Sequence, residues 1–263
     1  MELSVNSQST KNFLIKLQKK TNKICFSYLK KKLVVKLKKK KIYDAVTNLD
    51  IKIEKFLTSE IKKKYPGHNI NGEELKNIDK NSKFTWFIDP VDGTKALILG
   101  LPTWSNMISV FKEKKPICSL INFPLLNKFY ITIFKKTFLV EKNKYSIIKS
   151  SKINNLKEAK IVTNSIHTLK NKRLMKFFQN FRGLFKITGC DSYNFCLIAE
   201  GKADILIEDK LKIVDIMPII SIIENSGGVI TDWKGNKNFY SGKILASSNK
   251  ILHQQVLKKI KNL

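Results

Sequence analysis

Trp86-Phe87-Ile88-Asp89-Pro90-Val91-Asp92-Gly93-Thr94 decides how the rest of this chain is read. An apolar run with strand character ends in an acidic turn. Proline and glycine bend the backbone there, and Thr94 stands where a helix can begin. Two carboxylates three positions apart on such a turn can converge on one side. The amides of Gly93 and Thr94, opening a helix, form a natural phosphate site. Metal ligands and an anion cradle would then share six residues. Taken alone, the same residues also read as an ordinary β-turn, since Asp, Pro and Gly are common turn residues.

Other acidic places add weight in a chain with 21 acids against 50 bases. Gly72-Glu73-Glu74 lies shortly before the strand. Asp215 sits at a predicted helix start, and Asp44 and Asp50 flank Thr47 in DAVTNLD. Each has a plain alternative: a solvated loop for Glu73 and Glu74, a helix N-cap for Asp50 or Asp215. A ligand set of oxygens without His or Cys suits Mg²⁺ rather than zinc. Several carboxylates could hold two or more ions, which would clamp attacking and leaving oxygens in phosphoryl transfer.

Outward from this stretch, residues 10–29 carry Phe13, Leu14, Leu17, Ile24 and Leu29 at helical spacing. A second helix is predicted after Asp50 and stops at Tyr65-Pro66-Gly67. Short β-rich runs at 85–88, 107–111, 118–123, 129–134, 137–140 and 145–148 predict an antiparallel sheet. After about residue 150, strands (159–163, 185–188, 203–207, 229–232, 243–246) alternate with helices (169–181, 193–200, 215–226 and from 249). The fold class is therefore an α/β layered sandwich: N-terminal helices on an antiparallel sheet, then a helix-covered C-terminal sheet. An α+β part, residues 1–150, would carry most metal ligands, and an α/β part, residues 151–263, Asp215 and the specificity residues. No Pro/Gly/Ser linker marks the boundary.

The chain has 263 residues, a formal net charge of +29 and 43% apolar residues, enough for a substantial core. The basic excess is lysine, with only two arginines, Arg173 and Arg182. Nucleic-acid readers favour the bidentate arginine fork, so a solvated basic surface is expected rather than a specific nucleic-acid site. The field should still draw in anionic substrates. Cys25, Cys118, Cys190 and Cys196 form no CxxC pair, and His68, His167 and His253 are scattered, which excludes a zinc set and fits reduced thiols in a cytoplasmic protein. Apolar runs fall short of a membrane span and no signal peptide is visible. The segment KKKLVVKLKKKK, residues 30–41, alternates like a strand rather than an interfacial helix, so no membrane binding is expected.

The ordered set Asp44/Thr47/Asp50, Gly72-Glu73-Glu74, Asp89-Pro90-Val91-Asp92-Gly93-Thr94 and Asp215 followed by Ser226-Gly227-Gly228 resembles the inositol monophosphatase family, from about Ile42 to the C-terminus. The resemblance implies that Glu73, Asp89 and the Val91 carbonyl bind a first metal and that Asp89, Asp92 and Asp215 bind a second, giving two or three Mg²⁺ ions. It implies that Thr94 and Asp50 orient and help deprotonate the attacking water, and that the amides of Gly93 and Thr94 hold phosphate oxygens. A homodimer acting on a small phosphorylated metabolite is also implied. Val214 stands where the family often has Trp, and Leu97 lies where an aromatic usually follows.

Gly93-Thr94-Lys95, Ile98-Leu99-Gly100-Leu101-Pro102, Gly189-Cys190-Asp191-Ser192-Tyr193, Glu208-Asp209-Lys210-Leu211-Lys212 and the tail from Gly227 to Gly235 look like the histidinol-phosphatase branch. That resemblance places Glu208 against the non-phosphate part of the substrate, where a carboxylate can pair with the ammonium of histidinol phosphate. Asp191 can do the same or orient the ring, or else cap the helix that follows. Inositol phosphate and 3′(2′),5′-bisphosphate nucleotides are the rivals. FCLIAEGKAD resembles a nucleotidase segment, yet only Lys210 and Lys212, and no arginine, precede Asp215. A lysine-rich RNA-binding protein with a decayed phosphatase site is the alternative of another class.

Overall fold

Thr47 caps the helix that begins the acidic end of the molecule, and its cap shows how local chemistry sets the fold. The Thr47 side chain accepts from the Leu49 amide, while the Asp50 carboxylate accepts from the Thr47 amide at 3.0 Å. This capping box starts α2 at Asn48 (Asn48–Lys64), three residues before the expected start after Asp50. The N-cap is thus Thr47, and Asp50 is the third helical residue. The helix buries Leu49, Ile53, Leu57 and Ile61 and stops at Tyr65, ahead of Pro66 and Gly67. The computed structural model describes residues 7–39, 44–165 and 171–260.

Helix α1 (Ser7–Leu29) lies beside α2 and buries Phe13, Leu14, Leu17 and Cys25. Strands β1 (Val35–Lys39) and β2 (Asp44–Thr47) pair antiparallel; Lys40 and Lys41 of the basic segment lie outside the described residues. A seven-stranded sheet follows: β3 (Asn69–Gly72), β4 (Phe84–Asp92), β5 (Ser105–Lys112), β6 (Lys115–Phe123), β7 (Lys128–Ile133), β8 (Lys136–Glu141) and β9 (Lys144–Ile147), in that spatial order. It is antiparallel except for β3, which lies parallel to β4. Between β4 and β5 comes a single-turn helix, α3 (Thr94–Ile98).

The second sheet has the order β11-β10-β12-β14-β13. Its strands are β10 (Lys160–Thr163), β11 (Leu184–Ile187), β12 (Ile205–Glu208), β13 (Val229–Asp232) and β14 (Ile244–Ser247). β10 runs parallel to β11 and β12, while β14 is antiparallel to β12 and β13. The helices are α4 (Lys172–Asn180), α5 (Asp191–Ala199), α6 (Ile213–Ser226) and α7 (Lys250–Ile260). The predicted helix over 169–181 thus appears as α4, and residues 166–170 lie outside the described residues.

Three cores define five layers. The first joins α1 and α2 to one face of the large sheet through Leu14, Leu49, Ile53, Trp86 and Ile88. The second fills the space between the sheets with α5 and α6, bringing Phe87, Met107 and Ile121 against Phe195, Ile216, Ile219, Leu206 and Ala246. The third packs α4 and α7 on the outer face of the small sheet through Leu174, Phe178, Leu245, Leu252 and Val256. Among the described residues, no helix is long and apolar enough to cross a membrane. His68 and His253 are packing residues: His68 accepts from the Trp86 indole at 3.0 Å and stacks between Tyr65 and Phe84, while His253 bonds Thr231 and Ser247. All four cysteines are free and buried.

Candidate active site

The layers converge where the ends of β4, α2, α5 and α6 meet. β4 delivers Asp89 and Asp92 on a bulge: Asp89 pairs with Met107 and Asp92 with Ser105, so β4 spends one residue more than β5 over this interval. Asp89 folds back to accept from the Val91 amide at 3.0 Å. Gly93 then adopts φ 79°, in the left-handed region, where a Cβ would also stand 3.0 Å from Cys190 Sγ. Gly93 and Thr94 open α3 as expected, but α3 has only five residues. An anion held here would therefore meet two local amides, not a long helix dipole.

Thr94 Oγ1 donates to the Val91 carbonyl at 3.1 Å, with Asp50 Oδ1 at 3.4 Å. The pair expected to handle water is thus brought together from residues 44 apart. Burial pushes Asp50 up to about 6. Asp92 Oδ2 is held by the Ser192 amide at 2.8 Å and the Cys190 thiol at 3.0 Å, which ties the acidic loop to the start of α5. Asp215 is the third residue of α6 and accepts from the Lys212 amide at 2.7 Å, so Lys212, not Asp215, is the N-cap. Burial, then repulsion from Glu73 and Asp92, pushes Asp215 up to about 8. Asp89 is raised further by burial and by the charges of Glu73, Asp92 and Asp215.

Glu73 closes the cluster from the loop after β3. Lys212 Nζ reaches its Oε1 at 2.6 Å and Lys38 Nζ the same atom at 3.1 Å, while Lys38 also binds Glu74. Glu54 of α2, buried, accepts from the Glu74 and Leu75 amides at 2.8 and 2.9 Å and fixes the loop from behind. The donor set fits a hard divalent cation: oxygens only, mutually repelling carboxylates, and lysine ammoniums drawn onto the most accessible of them. Among the described residues no three such donors already stand in finished coordination geometry. An ion would have to draw them inward and displace lysine.

The other pair, Asp191 and Glu208, also comes together. Asn164, at the end of β10, donates its side-chain amide to Asp191 Oδ2 at 2.6 Å and its backbone amide to Glu208 Oε1 at 2.5 Å. Thr163 Oγ1 donates to the same Glu208 oxygen at 2.8 Å. Cys190 is the N-cap of α5 and Asp191 its first residue, so Asp191 is no cap. Asp191 Oδ1 is buried with no hydrogen-bond partner among the described residues. Burial pushes Glu208 up to about 8, and burial and the Glu208 charge raise Asp191. Sequence reasoning missed Asn164, Glu54 and Lys38, and weighed Lys212 only as a cation for a second phosphate, because each acquires its role here from a partner distant in sequence.

The layered fold and the all-carboxylate centre are those of a class of small-molecule phosphatases. The chain belongs to the inositol monophosphatase family, whose model matches residues 6–263. It is 31% identical over 228 residues to the chloroplastic bifunctional phosphatase IMPL2 of Arabidopsis thaliana, spanning 82% of this chain but 65% of that protein. It is 27% identical to human inositol monophosphatase 1 (96% of this chain, 94% of that one). It is 26% identical to the histidinol-phosphatase of Chlorobaculum parvum (82% and 83%). A solved structure described as IMPase/NADP phosphatase complexed with Mg²⁺ and phosphate superposes with a TM-score of 0.84, at 20% identity over 96% of this chain and 95% of that one. That likeness speaks to the fold alone.

Proposed function

We propose that this protein is a magnesium-dependent phosphomonoester hydrolase that converts histidinol phosphate and water to histidinol and phosphate, a step of histidine biosynthesis. The observation that carries the substrate is the Asp191–Asn164–Glu208 cluster. Buried Glu208 and half-buried Asp191 are linked through the Asn164 side chain and backbone, and one buried oxygen, Asp191 Oδ1, has no hydrogen-bond partner among the described residues. A buried acceptor of this kind is costly unless a ligand donates to it. The ammonium and imidazole N–H of histidinol phosphate donate hydrogen bonds, and a positive charge offsets the repulsion between the two carboxylates.

Glu73, Asp89, Asp92, Asp215 and the Val91 carbonyl would hold two or three Mg²⁺ ions, whose bound charge would neutralise the phosphate and the departing alkoxide. The protein's own residues orient the rest. Thr94 and Asp50 flank the position from which water attacks phosphorus. Asp50, raised to about 6 by burial, is a carboxylate of suitable basicity to take the proton near neutral pH. The new P–O bond forms as the ester P–O bond breaks, and the alkoxide leaves as an alcohol after gaining a proton. The amides of Gly93 and Thr94 hold the phosphate oxygens. The acid set is complete, which argues against a decayed site.

The test is phosphate release with Mg²⁺ on histidinol phosphate, inositol 1-phosphate and 3′-phosphoadenosine 5′-phosphate. A kcat/KM preference for histidinol phosphate above ~100-fold, about 2.7 kcal/mol, is expected. Glu208→Gln should lower use of histidinol phosphate at least tenfold and leave inositol phosphate nearly unchanged. A flat profile, or equal loss on both esters, refutes the substrate assignment and leaves the phosphatase chemistry standing.

A further inference from the structure

We infer that a buried row of side-chain amides running from α1 to the back of the acidic loop holds that loop in its ligand-presenting shape, with Asn106 as the positioning residue. The inference rests on reading Asp89–Thr94 as the metal and phosphate loop. The bulge between β4 and β5 leaves Pro90 and Val91 opposite a single residue, Asn106. The Asn106 side chain fills the gap in the ladder: its Nδ2 donates to the Pro90 carbonyl at 2.7 Å. Successive carbonyls of an extended chain point to opposite sides. With Pro90 O held toward the core, Val91 O turns the other way, where it accepts from Thr94 Oγ1 at 3.1 Å.

The row continues behind Asn106. Asn122, its cross-strand partner on β6, donates Nδ2 to Asn106 Oδ1 at 2.9 Å and to Asn22 Oδ1 of α1 at 2.7 Å. Gln18 of α1 donates to Asn122 Oδ1 at 3.0 Å, and the Cys25 thiol lies 3.8 Å from Asn106 Oδ1. A carbonyl can only accept, so Pro90 O fixes the orientation of the Asn106 amide. Asn106 Oδ1 then fixes Asn122, and Asn122 Oδ1 fixes Gln18. Asn106 and Asn122 are 4% and 1% exposed among the apolar residues that join α1 to the sheet. Apolar side chains there would leave the Pro90 carbonyl buried and unpaired. The row gives α1 a task beyond covering the sheet, because its Gln18 and Asn22 brace the active-site loop.

The experiment is amide hydrogen exchange on the full-length, metal-free protein, read at residues 91–94, together with Mg²⁺ affinity by titration calorimetry. Asn106→Ala should accelerate exchange at these amides at least tenfold and raise the Mg²⁺ dissociation constant at least fivefold. Thr137→Ala, which removes another buried side-chain bond to a carbonyl (Ile222, 2.9 Å), is the control and should do neither. Asn122→Ala, which spares the Pro90 contact, should give a three- to fivefold acceleration and serves if Asn106→Ala does not fold. Exchange within twofold of wild type in both amide variants, or the same acceleration in Thr137→Ala, overturns the inference. If the wild-type protein binds no Mg²⁺, the functional reading fails, and the exchange result still decides the role of Asn106.

Discussion

Gly72→Ala should destabilise this protein although the backbone at position 72 is ordinary. Gly72 is not in the left-handed region, and at such a position alanine normally stabilises by about 0.4–1 kcal/mol through the unfolded chain. Here the added Cβ would stand 1.8 Å from Glu54 Oε1 and 2.6 Å from its Cδ. Glu54 can swing away only by releasing the Glu74 and Leu75 amides, which it holds at 2.8 and 2.9 Å. Hydrogen bonds to a charged group are worth about 1.5–3 kcal/mol each, so the ceiling is about 3–6 kcal/mol. Water can reach the half-buried loop at 74–75 and recover part of this, so a net cost of about 2–4 kcal/mol is expected. A double-mutant cycle with Glu54→Ala, measured by urea denaturation in chelator, isolates the cause. Once Glu54 is alanine the methyl has room, and the double variant should be no less stable than Glu54→Ala alone. Gly72→Ala should also lower turnover, because Glu73 is the next residue on the loop. A Gly72→Ala cost below about 0.5 kcal/mol, or additive costs in the cycle, would refute the argument.

The metal-free protein should lose stability as pH rises from about 6.5 to 8.5. Asp50 moves from its ordinary 3.8 to about 6, Glu208 from 4.5 to about 8 and Asp215 from 3.8 to about 8, each chiefly through burial. The folded state keeps protons that the unfolded chain has released, so their stabilising contribution is complete below about pH 4 and is lost as pH climbs through 6 and 8. His253, pushed down to about 4 by burial, acts oppositely, but only between its ordinary 6.5 and 4, below this window. Tm against pH in chelator checks this, and a flat or rising curve contradicts it; Mg²⁺ should flatten the fall. Asp215→Asn should raise the Tm of the metal-free protein at pH 8 by removing one repelling buried charge, yet abolish turnover and the Tm increase caused by Mg²⁺. Turnover within tenfold of wild type would remove Asp215 from the metal site.

Much of the fold was legible because apolar residues recur at the period of the element they build. Ile53, Leu57 and Ile61 sit on one side of α2, and the central strands of the large sheet are short, almost wholly buried apolar runs set off by turns. What escaped was set by partners, not by period. β3, Asn-Ile-Asn-Gly, carries one apolar residue, and it is a strand because it pairs with residues 85–88 of β4. α3 is too short to show a period. In the site, the acids announced themselves by standing at turns of a basic chain. The amides and lysines that organise them had no such signal, with one exception. Asn106 and Asn122 interrupt two apolar strands, and a buried polar residue in such a run asks for a partner.

The charge balance carries the same logic. Nine of the chain's 21 acids, Asp50, Glu54, Glu73, Glu74, Asp89, Asp92, Asp191, Glu208 and Asp215, gather in one region that is mostly shielded from water. Spread over the surface, they would pair with some of the 50 basic residues at little cost. Packed together, they repel, and burial raises Asp89, Asp191, Glu208 and Asp215 above the carboxylate range. The fold tolerates this in two separate places with different compensation. Around Glu73 two lysines approach, so this end of the cluster draws compact positive charge. Around Asp191 and Glu208 a neutral amide bridges the acids and leaves Asp191 Oδ1 without a partner among the described residues, where a hydrogen-bond donor would be favourable. Under the function proposed above, a divalent cation would answer the first demand and the nitrogen-bearing end of a phosphate ester the second. The Gly93–Thr94 turn is tied to both: its loop carries Asp89 and Asp92, and Asp92 is bonded to the start of α5, one residue from Asp191.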